Sequence, residues 1–165
     1  MGSGIRGMII QLTQGKQTLV DDEDYPFLSQ WKWQYGANGY AVRDEYLGKV
    51  SNRYINRTIL MHRVLLNAPL DMDVDHKNRD KLDNRRANLR LATRSQNRAN
   101  VKHVRKTNSE LPMGVTYNPS VRSKQPFMAR VCCNGKSFFL GNFYSVDEAS
   151  AAYQKKKAEL FGEFA

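Results

Sequence analysis

Apolar residues along this chain come in short runs broken by turn-forming pairs, a spacing that predicts strands and short helices rather than one long amphipathic helix. Ile9 to Leu12 and Gln17 to Val20 read as two strands joined at Gln14-Gly15. Trp31, Trp33 and Tyr35 fall at every second position, as do Tyr40 and Val42, and Asn38-Gly39 between them suits a hairpin turn. These aromatics are expected in the core of a small sheet rather than as base-stacking platforms. The run Asp21-Asp22-Glu23-Asp24 stands just before Tyr25-Pro26-Phe27-Leu28. Four carboxylates can suggest a cation site, but acids at a helix start complement its dipole and cap its free amides, so a helix start is expected there. Residues 51–61 form a further strand, and Met61 to Leu66 a short helix in which His62, beside apolar neighbours, is expected to be structural.

Farther on, Val74 to His76 and Leu89 to Ala92 read as strands, and Thr93 with Gln96 makes a capping box for a helix beginning at Arg94. Residues 104–112 are polar and end in Pro112, which is linker chemistry. Beyond them Met113 to Tyr117, Phe127 to Cys133 and Ser137 to Phe143 are three strands, the last two joined through Asn134-Gly135. Ser145-Val146-Asp147-Glu148 caps a helix that runs through Ala149, Ala152, Tyr153 and Leu160 and stops at Gly162. The fold class expected is α+β: a β-rich region over 8–60, a strand-loop-strand-helix unit over 61–103, a linker over 104–112, and a three-stranded antiparallel sheet packed on one helix over 113–165. Residues 1–7 read like an expression scar ahead of Met8.

Charge sharpens this outline. The chain carries a net +10, distributed as +1 over residues 1–60, +5 over 61–103 and +4 over 104–165. Between Lys77 and Lys106 eleven bases face only Asp80 and Asp83, whereas a merely solvated helical face would interleave acids with bases. Phosphate contact is therefore expected from Arg85, Arg86, Arg94 and Arg98, and a polyanionic partner for the chain as a whole. His103, on the same basic stretch, is expected to be structural. No apolar run is long enough for a transmembrane helix or a secretory signal, so a soluble cytoplasmic protein with no membrane partner is expected. Cys132 and Cys133 are neighbours suited neither to an ordinary disulfide nor to a shared metal site, and no C-x-x-C is present, so no structural zinc is expected.

Hydrolysis of a phosphodiester needs a deprotonated water, neutralisation of phosphate charge and stabilisation of the departing oxygen, which a histidine, a hard cation and oxygen ligands supply. His76 is the histidine in a polar, basic setting beside a carboxylate. Asp75 and the side-chain oxygen of Asn97 would give a divalent ion such as Mg²⁺ or Mn²⁺ two protein ligands, with positions left for phosphate and water. Asp75 and His76 can share a site only where the strand ends or bends, because neighbouring strand residues face opposite ways.

The run Val74-Asp75-His76, then Leu82-Asp83-Asn84-Arg85, Asn88-Leu89, Ala92-Thr93 and Gln96-Asn97, resembles the HNH endonucleases of phages and mobile introns, over about residues 61–101. The resemblance implies a ββα-metal site with His76 as general base, Asp75 and Asn97 as metal ligands, and Asn88 as the central asparagine that braces the hairpin and orients His76. Many members have histidine where Asn97 stands, and the asparagine variant belongs to the intron-type branch. Residues 8–60 are similar to the leader found before such motifs. Residues 113–165 resemble the Apetala-type DNA-binding domain through Gly114-Val115, Phe127, Ala129-Arg130-Val131, Asn134-Gly135-Lys136, Leu140-Gly141 and Ala152-Tyr153. That resemblance implies that Met128, Arg130 and Cys132 face DNA while Phe127, Ala129 and Val131 pack on the helix. Arg122, Lys124 and Lys136 would add phosphate contacts. Thr116, Asn118, Ser137 and Phe139 stand where plant members carry arginine and tryptophan, so base preference does not transfer.

The reading is a metal-dependent endonuclease acting on double-stranded DNA, of homing or phage type, as a monomer or weak homodimer; one site per chain favours nicking, and double-strand cleavage would need dimerisation or two sequential events. The alternatives are a DNA-binding regulator whose nuclease motif is inert and an RNA-binding module using Trp31, Trp33 and Tyr35. Retention together of Asp75, His76, Asn88 and Asn97 separates the first reading from these.

Overall fold

A computed structural model describes residues 7–100, 111–118 and 124–165. The chain folds as two compact units that part between Arg94 and Ser95, inside the 61–103 stretch. The expected linker lies outside the described residues up to residue 110, as do His103, Arg122 and residues 1–6.

The first unit opens with an antiparallel hairpin of β1 (Gly7–Gln11) and β2 (Gln17–Asp21), joined through a single 3-10 turn over Thr13–Gly15. Gly7, assigned above to the scar, pairs with Asp21 and belongs to the strand; a Cβ there would stand 2.6 Å from Leu19 Cδ1. After α1 (Tyr25–Leu28), a three-stranded sheet is built from β3 (Gln34–Tyr35), β4 (Ala41–Val50) and β5 (Arg53–Leu60), with β4 in the middle. Helix α2 (Met61–Leu65) leads to the hairpin of β6 (Asp73–His76) and β7 (Leu89–Ala92). Val20, Leu28, Trp33, Met61, Val74 and Leu89 form the buried core that joins these pieces. Trp33 is held there by a 2.9 Å bond from Nε1 to the Leu28 carbonyl, as a buried indole requires.

The helix start expected after the acidic run is present, but the acids do not cap it, and the strand through Val42 extends well beyond its apolar positions. Helix α1 is one turn long and no acidic side chain caps it; Asp24 instead grips the Arg86 guanidinium and Asp21 accepts from the Arg86 backbone N–H. Strand β4 runs eight residues past Val42, through polar Arg43-Asp44-Glu45, because those acids find partners across the ladder. Thr58 Oγ1 donates to Asp44 Oδ1 at 2.9 Å, and Arg57 pairs with Glu45.

The second unit holds α3 (Arg94–Asn100), which begins at the junction, and a sheet of β8 (Val115–Tyr117), β9 (Phe127–Cys133) and β10 (Lys136–Phe143) with β9 central. Helix α4 (Val146–Phe161) packs on it through Ala149 against Val115 and Ala129, all fully buried. The turn at Asn134 (φ 50°) and Gly135 (φ 75°) has the two left-handed residues a tight hairpin needs. Ser145 Oγ accepts from the Glu148 N–H at 3.2 Å and Gly162 closes the helix, as expected. Gly114 (φ 78°) is needed twice over, since a Cβ there would lie 2.0 Å from the Tyr153 ring. No helix among the described residues is long and apolar enough to cross a membrane.

Candidate active site

His76 is the last residue of β6, where the chain turns: Lys77 N donates to the Asn88 carbonyl at 2.9 Å and Arg79 N to the His76 carbonyl at 2.8 Å. The strand end that Asp75 and His76 required is therefore present. Both side chains are buried. Asp75 faces Arg90, its cross-strand partner on β7, whose Nε and Nη2 each lie 2.8 Å from Oδ2. The His76 ring lies 5.3 Å from the His62 ring, edge to face, and 5.9 Å from Tyr40.

Burial sets the protonation of this cluster. It lowers the pKa of His76 below the usual histidine range, opposed by the hydrogen bond with Asn84 and by the charges of Asp75, Asp80 and Asp83. His62, whose structural role its burial supports, is pushed down to about 3, first by desolvation and then by the charges of His76 and Arg63. Tyr40 is raised by burial and by Asp75 and Asp73. A neutral imidazole at neutral pH is what a general base requires.

The loop between β6 and β7 is held by its own amides and acids. Asp83 accepts from Arg85 Nε and Nη2 and from Asn78 Nδ2, each at 2.8 Å, and Arg85 holds its carboxyl below the ordinary range. Asn88 accepts from Asn78 N at 3.0 Å and donates to the Asp83 carbonyl at 2.8 Å. Asn88 thus ties Asn78 to Asp83 within the loop, and Asn84 Oδ1 lies 3.3 Å from His76 Nε2. Asn84 was quoted in the sequence motif without a role; its partner Thr18 carried no local signal. Asn84 N donates to the Leu19 carbonyl and Leu19 N to the Leu82 carbonyl, both at 2.8 Å, so β2 is laced into the loop.

Arg85 and Arg86 are thus engaged by Asp83 and Asp24. An open depression beside the site is lined by Lys77, Asn78, Asp83, Arg85 and Asn88. Asn97, half-buried, and Arg94 and Arg98, exposed, lie on α3; Lys124, Arg130 and Lys136 are exposed in the second unit. Along β9 Ala129 and Val131 are buried while Arg130 and Cys132 are exposed.

A family model described as HNH endonuclease matches residues 67–99, from the approach to β6 into α3. An uncharacterized HNH endonuclease of Acanthamoeba polyphaga mimivirus is 35% identical over 157 residues, covering 93% of this chain and 76% of the relative. The chain belongs to the HNH endonuclease family. As an HNH endonuclease it is a nuclease, and DNA is the substrate that this class of domain implies. The sequence likeness to the viral HNH protein reaches well beyond the motif, into both units of this chain. No solved structure matches the chain.

Proposed function

We propose that this HNH nuclease is a metal-dependent endonuclease that nicks double-stranded DNA as a monomer, with His76 as the general base. The observation that carries the proposal is the imidazole itself: buried, neutral, at a strand end, and anchored through one ring nitrogen. His76 takes the proton of the attacking water. Asn88 keeps the loop that bears Asn84 in place. Asp75 and Asn97 would hold a hard divalent ion, Mg²⁺ or Mn²⁺, since one carboxylate and one amide oxygen suit a cation that keeps water and phosphate among its ligands. When bound, such an ion neutralises charge on the phosphate and at the departing oxygen. Arg90 pairs with Asp75 within the fold.

Arg85, Arg94, Arg98, Arg122, Lys124, Arg130 and Lys136 contact the DNA backbone or bases in this proposal, while Arg86, clasped by Asp24, contributes mainly charge. The alternation on β9 supports docking of the second unit in the Apetala manner, with Met128, Arg130 and Cys132 toward the major groove. A homing or phage-type role in the cytoplasm of an infected cell belongs to the same proposal.

The test is supercoiled plasmid with and without Mg²⁺ or Mn²⁺. Nicked circles are expected only with metal, and His76→Ala is expected to lose about two orders of magnitude or more in rate while still binding DNA. Binding without cleavage by the parent protein in either metal would favour the inert regulator instead.

A further inference from the structure

We infer that Thr18, on the amino-terminal hairpin, and Asn84 form a positioning relay that fixes His76 as its Nε2–H tautomer, so that Nδ1 is the atom that accepts the proton of the attacking water. The inference rests on His76 being the base and deepens that reading.

The relay follows from counting hydrogens. Thr18 Oγ1 lies 2.7 Å from the Leu82 carbonyl oxygen, a separation two oxygens reach only with a hydrogen between them, and the carbonyl has none to give. The one hydroxyl hydrogen is therefore committed to Leu82. Toward Asn84, also 2.7 Å away, Thr18 can only accept, so the amide must present Nδ2 to it. That turns Oδ1 toward His76 Nε2. An amide oxygen only accepts, hence Nε2 carries the hydrogen, and in a neutral imidazole the lone pair then stands on Nδ1.

The arrangement is rigid. Asn84 and Thr18 are both essentially fully buried, and the Asn84 and Leu82 main chains are each bonded to Leu19, so the amide cannot rotate without breaking buried hydrogen bonds. In the cleavage step the water proton moves to Nδ1 as the water oxygen bonds to phosphorus. The scissile P–O bond breaks with its electron pair on the departing oxygen, which takes a proton from solvent. The imidazolium so formed still donates from Nε2 to Asn84, so the relay serves the ring in both states. Thr18 lies outside residues 67–99, which makes the leader a contributor to the chemistry rather than a mere scaffold.

The experiment uses the full chain labelled with ¹⁵N, with the His76 ring signals assigned by their loss in His76→Ala. Long-range ¹H–¹⁵N spectra are expected to show a protonated Nε2 and an unprotonated Nδ1. Thr18→Val, which keeps shape and removes the hydroxyl, should lower kcat about 10–100-fold with little change in KM for plasmid and should blur the tautomer signature. Thr18→Ser should restore both. An Nδ1–H tautomer in the parent protein overturns the inference even if Thr18→Val fails to fold, and so does a Thr18→Val protein with parental spectrum and kcat. Parental cleavage by His76→Ala would instead overturn the assignment of the base, a separate outcome from the tautomer reading.

Discussion

In the first unit Thr18, Asp21, Asp24, His62, Asp75, His76, Asp83 and Asn84 are all buried, whereas in the second, among the described residues, Asn100 is the one polar side chain buried with Val115, Ala129, Val131, Ala149 and Tyr153. Buried polar groups are costly unless each meets a partner in good geometry. The first unit is therefore specified by particular pairings: Asp75 with Arg90, Asp83 with Arg85, Asn84 with Thr18. The second is specified by turn and cap chemistry around a small apolar core. Buried polar side chains thus gather in the unit that holds His76, whereas Lys124, Arg130 and Lys136 of the second unit are exposed.

The sharpest way to break this contrast is to unpair a buried charge. Asp75→Asn leaves the Arg90 guanidinium facing a neutral amide, and a loss of about 3 kcal/mol is expected in urea denaturation. The same variant should need much more Mg²⁺ for cleavage; an unchanged metal titration would place the ion elsewhere. In the second unit the corresponding injury is steric. Gly114→Ala drives a methyl into Tyr153 and should cost about 2–3 kcal/mol. Hydrogen exchange should then rise over β8 to β10 and α4 but stay at parental levels over β6 and β7.

A smaller effect follows from His62. Its folded pKa of about 3 lies below the ordinary 6.5, so the unfolded chain takes up the proton first. The stability this histidine contributes is full above pH 6.5 and drains away toward pH 3, at up to about 1.4 kcal/mol per pH unit. His62→Phe should flatten that slope in urea midpoints measured from pH 7 to pH 4. The smallest expected change separates two arginines. Arg86→Ala should cost about 1 kcal/mol or less, because its guanidinium is half exposed, and should lower the salt slope of DNA binding by less than loss of a direct phosphate contact would. Arg130→Ala should leave the urea midpoint unchanged and lower the salt slope by about 0.9.

The same contrast explains what could be read from the sequence. The end of β6 at His76, the limits of β7 and β9, the Asn134-Gly135 turn and the Ser145 cap are legible because their causes are local. From their neighbours alone Asp21 and Asp24 look like helix caps, because their partner Arg86 lies more than sixty positions away. The full extent of β4 is not legible locally, because its polar stretch is supported by Arg57 and Thr58 on the neighbouring strand. His76 and Asp75 stood out by residue type, whereas Thr18 did not, since nothing in a threonine flanked by Gln17 and Leu19 signals an asparagine 66 residues on.

The lacing of β2 into the nuclease loop has a consequence for biosynthesis. The hydroxyl of Thr18 waits for a carbonyl 64 residues later in the chain, and contacts of such separation form slowly and late. At synthesis rates of about 5–20 residues per second, β2 precedes its partner from the ribosome by roughly 3–13 s. Throughout that interval the hairpin can fold but the catalytic loop does not yet exist, and a chain broken off before Asn84 never acquires it. A folded loop around His76 therefore waits for a chain long enough to have brought Asn84 out behind it.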